Sequence, residues 1–184
     1  MMDMKQQKGA ALVISLVILL IMTIIGLQGM SGTTLEERMS RNYRDSQMSF
    51  QAAETALRDG ENFVQTTLFK MSDYSDTCTN GLCFFGGASG CPVENPIPPA
   101  WEGTTNWNDS SKHKEYTGTI TGVIAKPKYI IEFQCYVPTD PNVTPSSPEG
   151  SDYQWSEMYR ITALGFGATP TSRTMLQSTY KKPL

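Results

Sequence analysis

Residues 9–32, GAALVISLVILLIMTIIGLQGMSG, and the stretch that follows at 33–70, TTLEERMSRNYRDSQMSFQAAETALRDGENFVQTTLFK, decide the fold of this chain. No charge interrupts the apolar run from Ala10 to Leu27, and only Ser15, Thr23 and Gly26 relieve it. As a helix that run rises roughly 27 Å, enough to cross a bilayer core. Lys5 and Lys8 flank its N-terminal side. A basic flank keeps its end in the cytoplasm, so the residues after Leu27 are expected across the membrane.

A secretory signal peptide would have a shorter apolar stretch and a small-residue cleavage site behind it. Here the run continues through Gly26, Gly29 and Gly32 into a polar helical pattern, with no lipobox cysteine. The segment 33–70 has no proline and a single glycine, Gly60. Apolar side chains recur at Leu35, Met39, Tyr43, Phe50, Ala53, Leu57, Val64 and Leu68, the spacing of one helical face. Thr33 or Thr34 with Glu36 and Glu37 suits a helix start or, equally, a polar turn inside one long helix. The economical reading is one helix of roughly sixty residues, about 90 Å long. Its transmembrane half spans 10–32 and its amphipathic half 33–70, with the glycines as a soft point and a globular head at 71–184.

These residues carry a resemblance. GAALVISLVILLIMTIIGLQGM, followed by TTLEERM, the Asn42-Tyr43-Arg44-Asp45 step and FQAAETAL, resembles the N-terminal half of PilX-type type IV pilus minor pilins. YRITALGFGATPTSRTMLQSTY, at 159–180, resembles that family's C-terminal strands. The resemblance implies an α+β, type IV pilin-like lollipop, its long N-terminal helix packed on an antiparallel sheet. It implies that 1–9 is a type III signal leader, removed after Gly9 by prepilin peptidase to leave Ala10 as the methylated N-terminus. The implied partners are other minor pilins and the major pilin through the helix, and a large tip adhesin. The implied role is structural, without catalysis or cofactor: priming pilus assembly at or near the filament tip, in support of adhesion and twitching motility. The implied route runs from the inner membrane to the extracellular pilus. A direct adhesive or surface-sensing module at the tip, and a minor pseudopilin of type II secretion, are the alternatives.

One departure is informative. Most pilins carry glutamate at the fifth mature position, which pairs with the N-terminal ammonium of the subunit above. With cleavage after Gly9 that position is Ile14. An unpaired carboxylate in the membrane costs a few kcal/mol or more. A subunit with nothing above it has no ammonium to neutralise, so Ile14 reads as a tip-position signature.

Formal charge is −3, and the leader holds Asp3, Lys5 and Lys8, leaving −4 on the remainder. That balance argues against nucleic acid as a partner. Cys78, Cys83, Cys91 and Cys135 allow three disulfide connectivities on the oxidising side of the membrane. Their spacing matches no zinc ribbon or finger. Cys135 should point inward from the strand KYIIEFQCYV, and the Gly/Pro-rich loop from Thr77 to Pro99 needs a tie. The preferred pairing is Cys78–Cys83 as a local loop and Cys91–Cys135 as a long staple.

Four antiparallel strands are expected: Tyr116–Ile124 hairpinned to Lys128–Val137, then Glu157–Phe166 and Ser172–Tyr180, laid on the C-terminal half of the helix. Prolines 138, 141, 145 and 148 argue for a loop between the pairs. His113 in DSSKHKEY reads as a solvated surface residue. Gly86–Gly90 lacks the lysine of a phosphate loop. Asp73, Asp76, Asp140 and Asp152 have no EF-hand spacing, so no metal is expected. Asn108-Asp109-Ser110 and Asn142-Val143-Thr144 match glycosylation acceptors but carry little weight in a bacterial pilin. Trp101 and Trp107 sit in loop-like sequence and read as exposed interface candidates.

Overall fold

A computed structural model describes residues 10–85, 91, 98–148 and 150–184; the leader and Gly9 lie outside them, as does the 86–90 loop. The chain divides into two compact units, 1–44 and 45–184, and helix α1, Ala10–Thr66, contributes to both. In the first unit α1 continues through Gly26, Gly29 and Gly32 without interruption. Its Ser15 and Thr23 hydroxyls donate to the carbonyls of Leu12 and Leu20, three residues back, so the apolar run leaves neither hydroxyl unpaired.

The second unit is a sheet with the last turns of α1 laid on it. Strands β1 (Leu82–Phe84), β2 (Lys114–Glu115), β3 (Lys128–Pro138), β4 (Trp155–Phe166) and β5 (Arg173–Pro183) form it in the order β1-β3-β4-β5, with β2 also on β3. β3, β4 and β5 are antiparallel neighbours, whereas β1 runs parallel to β3. The sheet is therefore mixed and five-stranded rather than four-stranded and antiparallel. Tyr116–Ile124 forms no strand: one edge of β3 is held by β4, and the other is shared by β1 and β2. Gly122, at φ +89, also breaks the extended path. Continued pairing with β4 carries β5 on to Pro183, past the Tyr180 expected from sequence.

Both faces of β3 and β4 are covered. On the helix side Ala56 and Val64 of α1 pack with Tyr74, Tyr129, Ile131, Phe133, Tyr159, Ile161 and Ala163. On the other side Ile130 and Leu164 pack with Cys78, Cys83 and Trp107, joined by Trp101 and Phe166. Alternation along the strands sorts these side chains between the two faces. The second layer needs a lid, which the turn at Ala100–Glu102 and the short helix α2, Thr104–Asn108, supply.

The expected apolar stripe of α1 divides. Leu35, Met39, Tyr43 and Phe50 are exposed, and Leu68 lies beyond the helix end at 91 % exposure. The buried face keeps Ala53 and Val64 of that stripe and adds Ser49, Ala52, Ala56 and Gly60, so that it consists mostly of small residues at helical spacing. Gly165 of β4 explains the size: a Cβ there would lie 2.8 Å from the Ala53 Cα, with the Ser49 carbonyl and the Ala53 amide closer still. Strand and helix backbones touch, so only small side chains fit between them.

Candidate functional site

Among the described residues no pocket with convergent catalytic groups stands out; the surfaces that matter are an exposed helix and the head that holds its C-terminal part. In the first unit Leu12, Val13, Ile14, Leu16, Leu19 and Met22 are all exposed. α1 is long and apolar enough to cross a membrane by length and composition. Ile14 sits on this exposed apolar surface, where a carboxylate would find no partner among the described residues. Past the apolar run, Glu37 accepts from Arg41 at 2.7 Å one turn on. Both partners are exposed, so the pair adds little stability.

The head is tied to α1 by Asp45, a contact across 123 residues or more that no local pattern in the sequence signals. Its Oδ1 accepts from the Ala168 amide at 2.5 Å and the Thr169 amide at 3.3 Å, and its Oδ2 from the Thr169 hydroxyl. These groups form the turn between β4 and β5. The Thr169 hydroxyl bond, helped by the two amides, holds the Asp45 carboxyl below the usual carboxylate range, against an opposing effect of burial that outweighs either amide alone. One turn later Ser49 and Thr174 hydroxyls meet at 2.6 Å, fixing the start of β5 on the helix.

Two polar clusters hold the sheet. Glu132 on β3 is 1 % exposed and faces Arg160 on β4, whose Nε and Nη2 donate to its two oxygens at 2.8 and 3.0 Å. The Ala100 amide adds a third bond at 2.7 Å, and the guanidinium stacks 4.4 Å over the Phe85 ring. On the helix side the Tyr74 hydroxyl donates to Tyr159, and Tyr159 donates to Glu157 at 2.7 Å. Burial pushes both phenols well above the ordinary tyrosine value, so they stay neutral donors. Tyr129 is raised in the same way, by burial first and then by Asp59. Neither cluster was legible from spacing, because partners meet across strands in a register that the sequence does not print.

The structure pairs Cys78 with Cys83 and Cys91 with Cys135. The short bridge lies in the second core layer, and Cys135 is wholly buried beside a register shift after Phe133. Three surface assignments change. Trp107 is 8 % exposed and donates its indole N–H to the Trp101 carbonyl at 2.9 Å. Trp101 is half-buried in the same layer. Both are core on the far sheet face and not open interface residues, because the loop carrying them is the lid that face requires. His113, expected in solvent, is 3 % exposed; its Nδ1 lies 2.9 Å from the Asn106 carbonyl at the end of α2. The polar run around it misled, since Glu115 is exposed while the His113 ring turns in. Among the described residues no group of three or more His, Cys, Asp or Glu side chains could hold a metal ion.

The arrangement is that of a pilin: a helix left apolar for an environment outside the chain, and a head stiffened by disulfides and buried polar bonds. The PilX N-terminal family model matches residues 8–58, and the model described as Type IV pilus assembly protein PilX C-term matches residues 60–182. The chain belongs to the PilX family of type IV pilus proteins and is a minor pilin. No match was found among curated proteins or among solved structures. The family is a structural one, and membership implies contact with other pilus components. The apolar helix fits a pilin anchored in the inner membrane.

Proposed function

We propose that this minor pilin primes type IV pilus assembly and sits at or near the filament tip, where it supports adhesion and twitching motility. The observation that carries the reading is Ile14, apolar and exposed where most pilins place a glutamate. Prepilin peptidase cuts after Gly9, the Ala10 amine is methylated, and the leader end lies in the cytoplasm with the head in the periplasm. The subunit below then neutralises that amine with its own glutamate, and nothing above requires one from this chain. The partners are other minor pilins and the major pilin along α1, with a large tip adhesin above. The family favours the pilus over a type II secretion pseudopilus.

The test joins processing to position. Mass spectrometry of sheared pili should find the chain beginning at Ala10, and Gly9→Val should leave the uncut protein in the inner membrane. Immunogold labelling should mark one end of each filament. Ile14→Glu should not improve assembly, because its carboxylate would be left unpaired in a low-dielectric layer. Uniform labelling along wild-type shafts would overturn the tip reading while leaving the pilin reading intact.

A further inference from the structure

The sheet ends in an open edge. β5 pairs with β4 through eleven consecutive residues, Arg173–Pro183 against Phe166–Ser156, with no register shift. At one end the Gly167 amide bonds the Ser172 carbonyl, and at the other the Leu184 amide bonds the Trp155 carbonyl. Bonded and non-bonded pairs alternate in an antiparallel ladder. Even-numbered residues of β5 therefore turn their amides and carbonyls toward β4, and odd-numbered ones turn them away. Arg173, Met175, Gln177, Thr179 and Lys181 direct backbone groups outward, and no described residue bonds those amides. The same residues are exposed.

Proteins usually blunt such an edge with prolines, bulges or central charges. Here the middle, TMLQSTY at 174–180, has none of these, and the first proline is Pro183. What the edge does carry is one sign of charge at its ends. Arg173 and Lys181, both exposed, stand in a stretch, 173–184, without a single Asp or Glu, although the whole chain is net negative; Lys182 gives its ammonium to the Thr67 carbonyl instead. Pairing with a second copy is disfavoured in either direction. An antiparallel match centred on Gln177 sets Arg173 against Lys181, and a parallel in-register match stacks identical cations.

We propose that the outer edge of β5 is a docking site for an extended, acid-flanked strand of another protein, which adds to the sheet as its next strand. Backbone bonds from the five outward residues supply affinity, and the basic ends select a partner with acids at both ends. The edge is a property of the head's sheet and holds whether or not the subunit sits at the tip.

The experiment follows amide hydrogen exchange in the detergent-solubilised full chain. Its probe is a short acetylated peptide of alternating Thr and Val with Glu at both ends. In the free chain the odd amides of β5 should exchange faster than those of Leu176, Ser178 and Tyr180. At ten times its Kd the peptide should slow the odd amides about tenfold. A peptide with Lys at both ends should lose that effect. Thr179→Pro removes an outward amide but no bond to β4. It should abolish the peptide's protection while β4 amides stay as slow as in the wild type. Three results would overturn the proposal: odd amides already protected in the free chain, equal protection by the Lys-ended peptide, or protection that grows with chain concentration alone, which would mean self-pairing.

Discussion

Gly165→Ala tests whether backbone contact between α1 and β4 is what holds the helix on the head. The added methyl would press on the Ser49 carbonyl and the Ala53 amide and lie 2.8 Å from the Ala53 Cα. All three are backbone atoms of a helix, so no rotamer change relieves the overlap, and α1 must lift from the sheet. Overpacking a tight core costs roughly 1–3 kcal/mol, and immovable neighbours put this site at the upper end, about 3 kcal/mol. For a unit of this size, 45–184, each kcal/mol lowers Tm by about 4 °C, giving a fall of about 12 °C. Gly60→Ala is the contrast. Its methyl meets Ile161 Cγ2 at 2.8 Å and Tyr129 Cδ2 at 3.1 Å, both side-chain atoms that can shift. Alanine also gains about 1 kcal/mol over glycine inside a helix, so the net change should stay within about 1 kcal/mol. Thermal and urea unfolding of the detergent-solubilised chain, followed by near-ultraviolet circular dichroism, reads both. Ala53→Gly should not rescue Gly165→Ala, since the clash is with backbone. Should Gly165→Ala unfold within a degree or two of the wild type, or be restored by Ala53→Gly, the contact is not the constraint argued here.

Three further outcomes follow from the polar clusters and the cysteines. Asp45 has a depressed pKa in the folded state, so its contribution is present above the unfolded value near pH 4 and is lost as pH falls through the folded pKa. The Tm gap between wild type and Asp45→Asn should therefore be widest near neutrality and close on acidification; a gap independent of pH would contradict the clamp. Arg160→Ala strands the buried Glu132 carboxylate and should cost about 3–5 kcal/mol in urea unfolding, while the double change Glu132→Leu with Arg160→Met should cost much less. Replacing Cys91 and Cys135 by serine opens a 44-residue separation and should destabilise by about 4 kcal/mol, against about 2 for the Cys78–Cys83 pair, whose separation is 5; the reverse order would refute the loop-closure account.

What was legible in the sequence was whatever repeats locally. The apolar run, the helical phase of FQAAETAL, and the β-branched stretches at 128–137 and 157–166 each carry a period that a short window reveals. Two errors came from judging a segment without its partners. YTGTITGVI has strand composition, yet β1 and β2 had taken the edge it would have needed. The tryptophans lie in loop-like sequence, yet the outer face of β3 and β4 carries Ile130 and Leu164, and something large had to cover it. The stripe on α1 held at Ala53, Leu57 and Val64 and missed elsewhere for a related reason. Large apolar residues mark a helical face, but the face that docks on the sheet here is chosen by closeness, and closeness selects alanine and glycine.

That division of sizes says what surrounds the helix. Leu35, Met39 and Tyr43 begin eight residues beyond Leu27, so they lie about 12–24 Å past the end of the apolar run. A bilayer that accommodates Ala10–Leu27 does not reach them. Each large apolar side chain left in water forfeits about 1.5–3 kcal/mol of burial. In this chain alone all three are exposed, with Glu37 and Arg41 paired beside them. A membrane suits the first part of the helix, and protein contact suits the exposed side chains of the next. The helices of other pilus subunits, whose contact the family implies, are apolar partners of the right kind. The small-residue face is already spent on the chain's own sheet, which leaves the large side chains free for its neighbours.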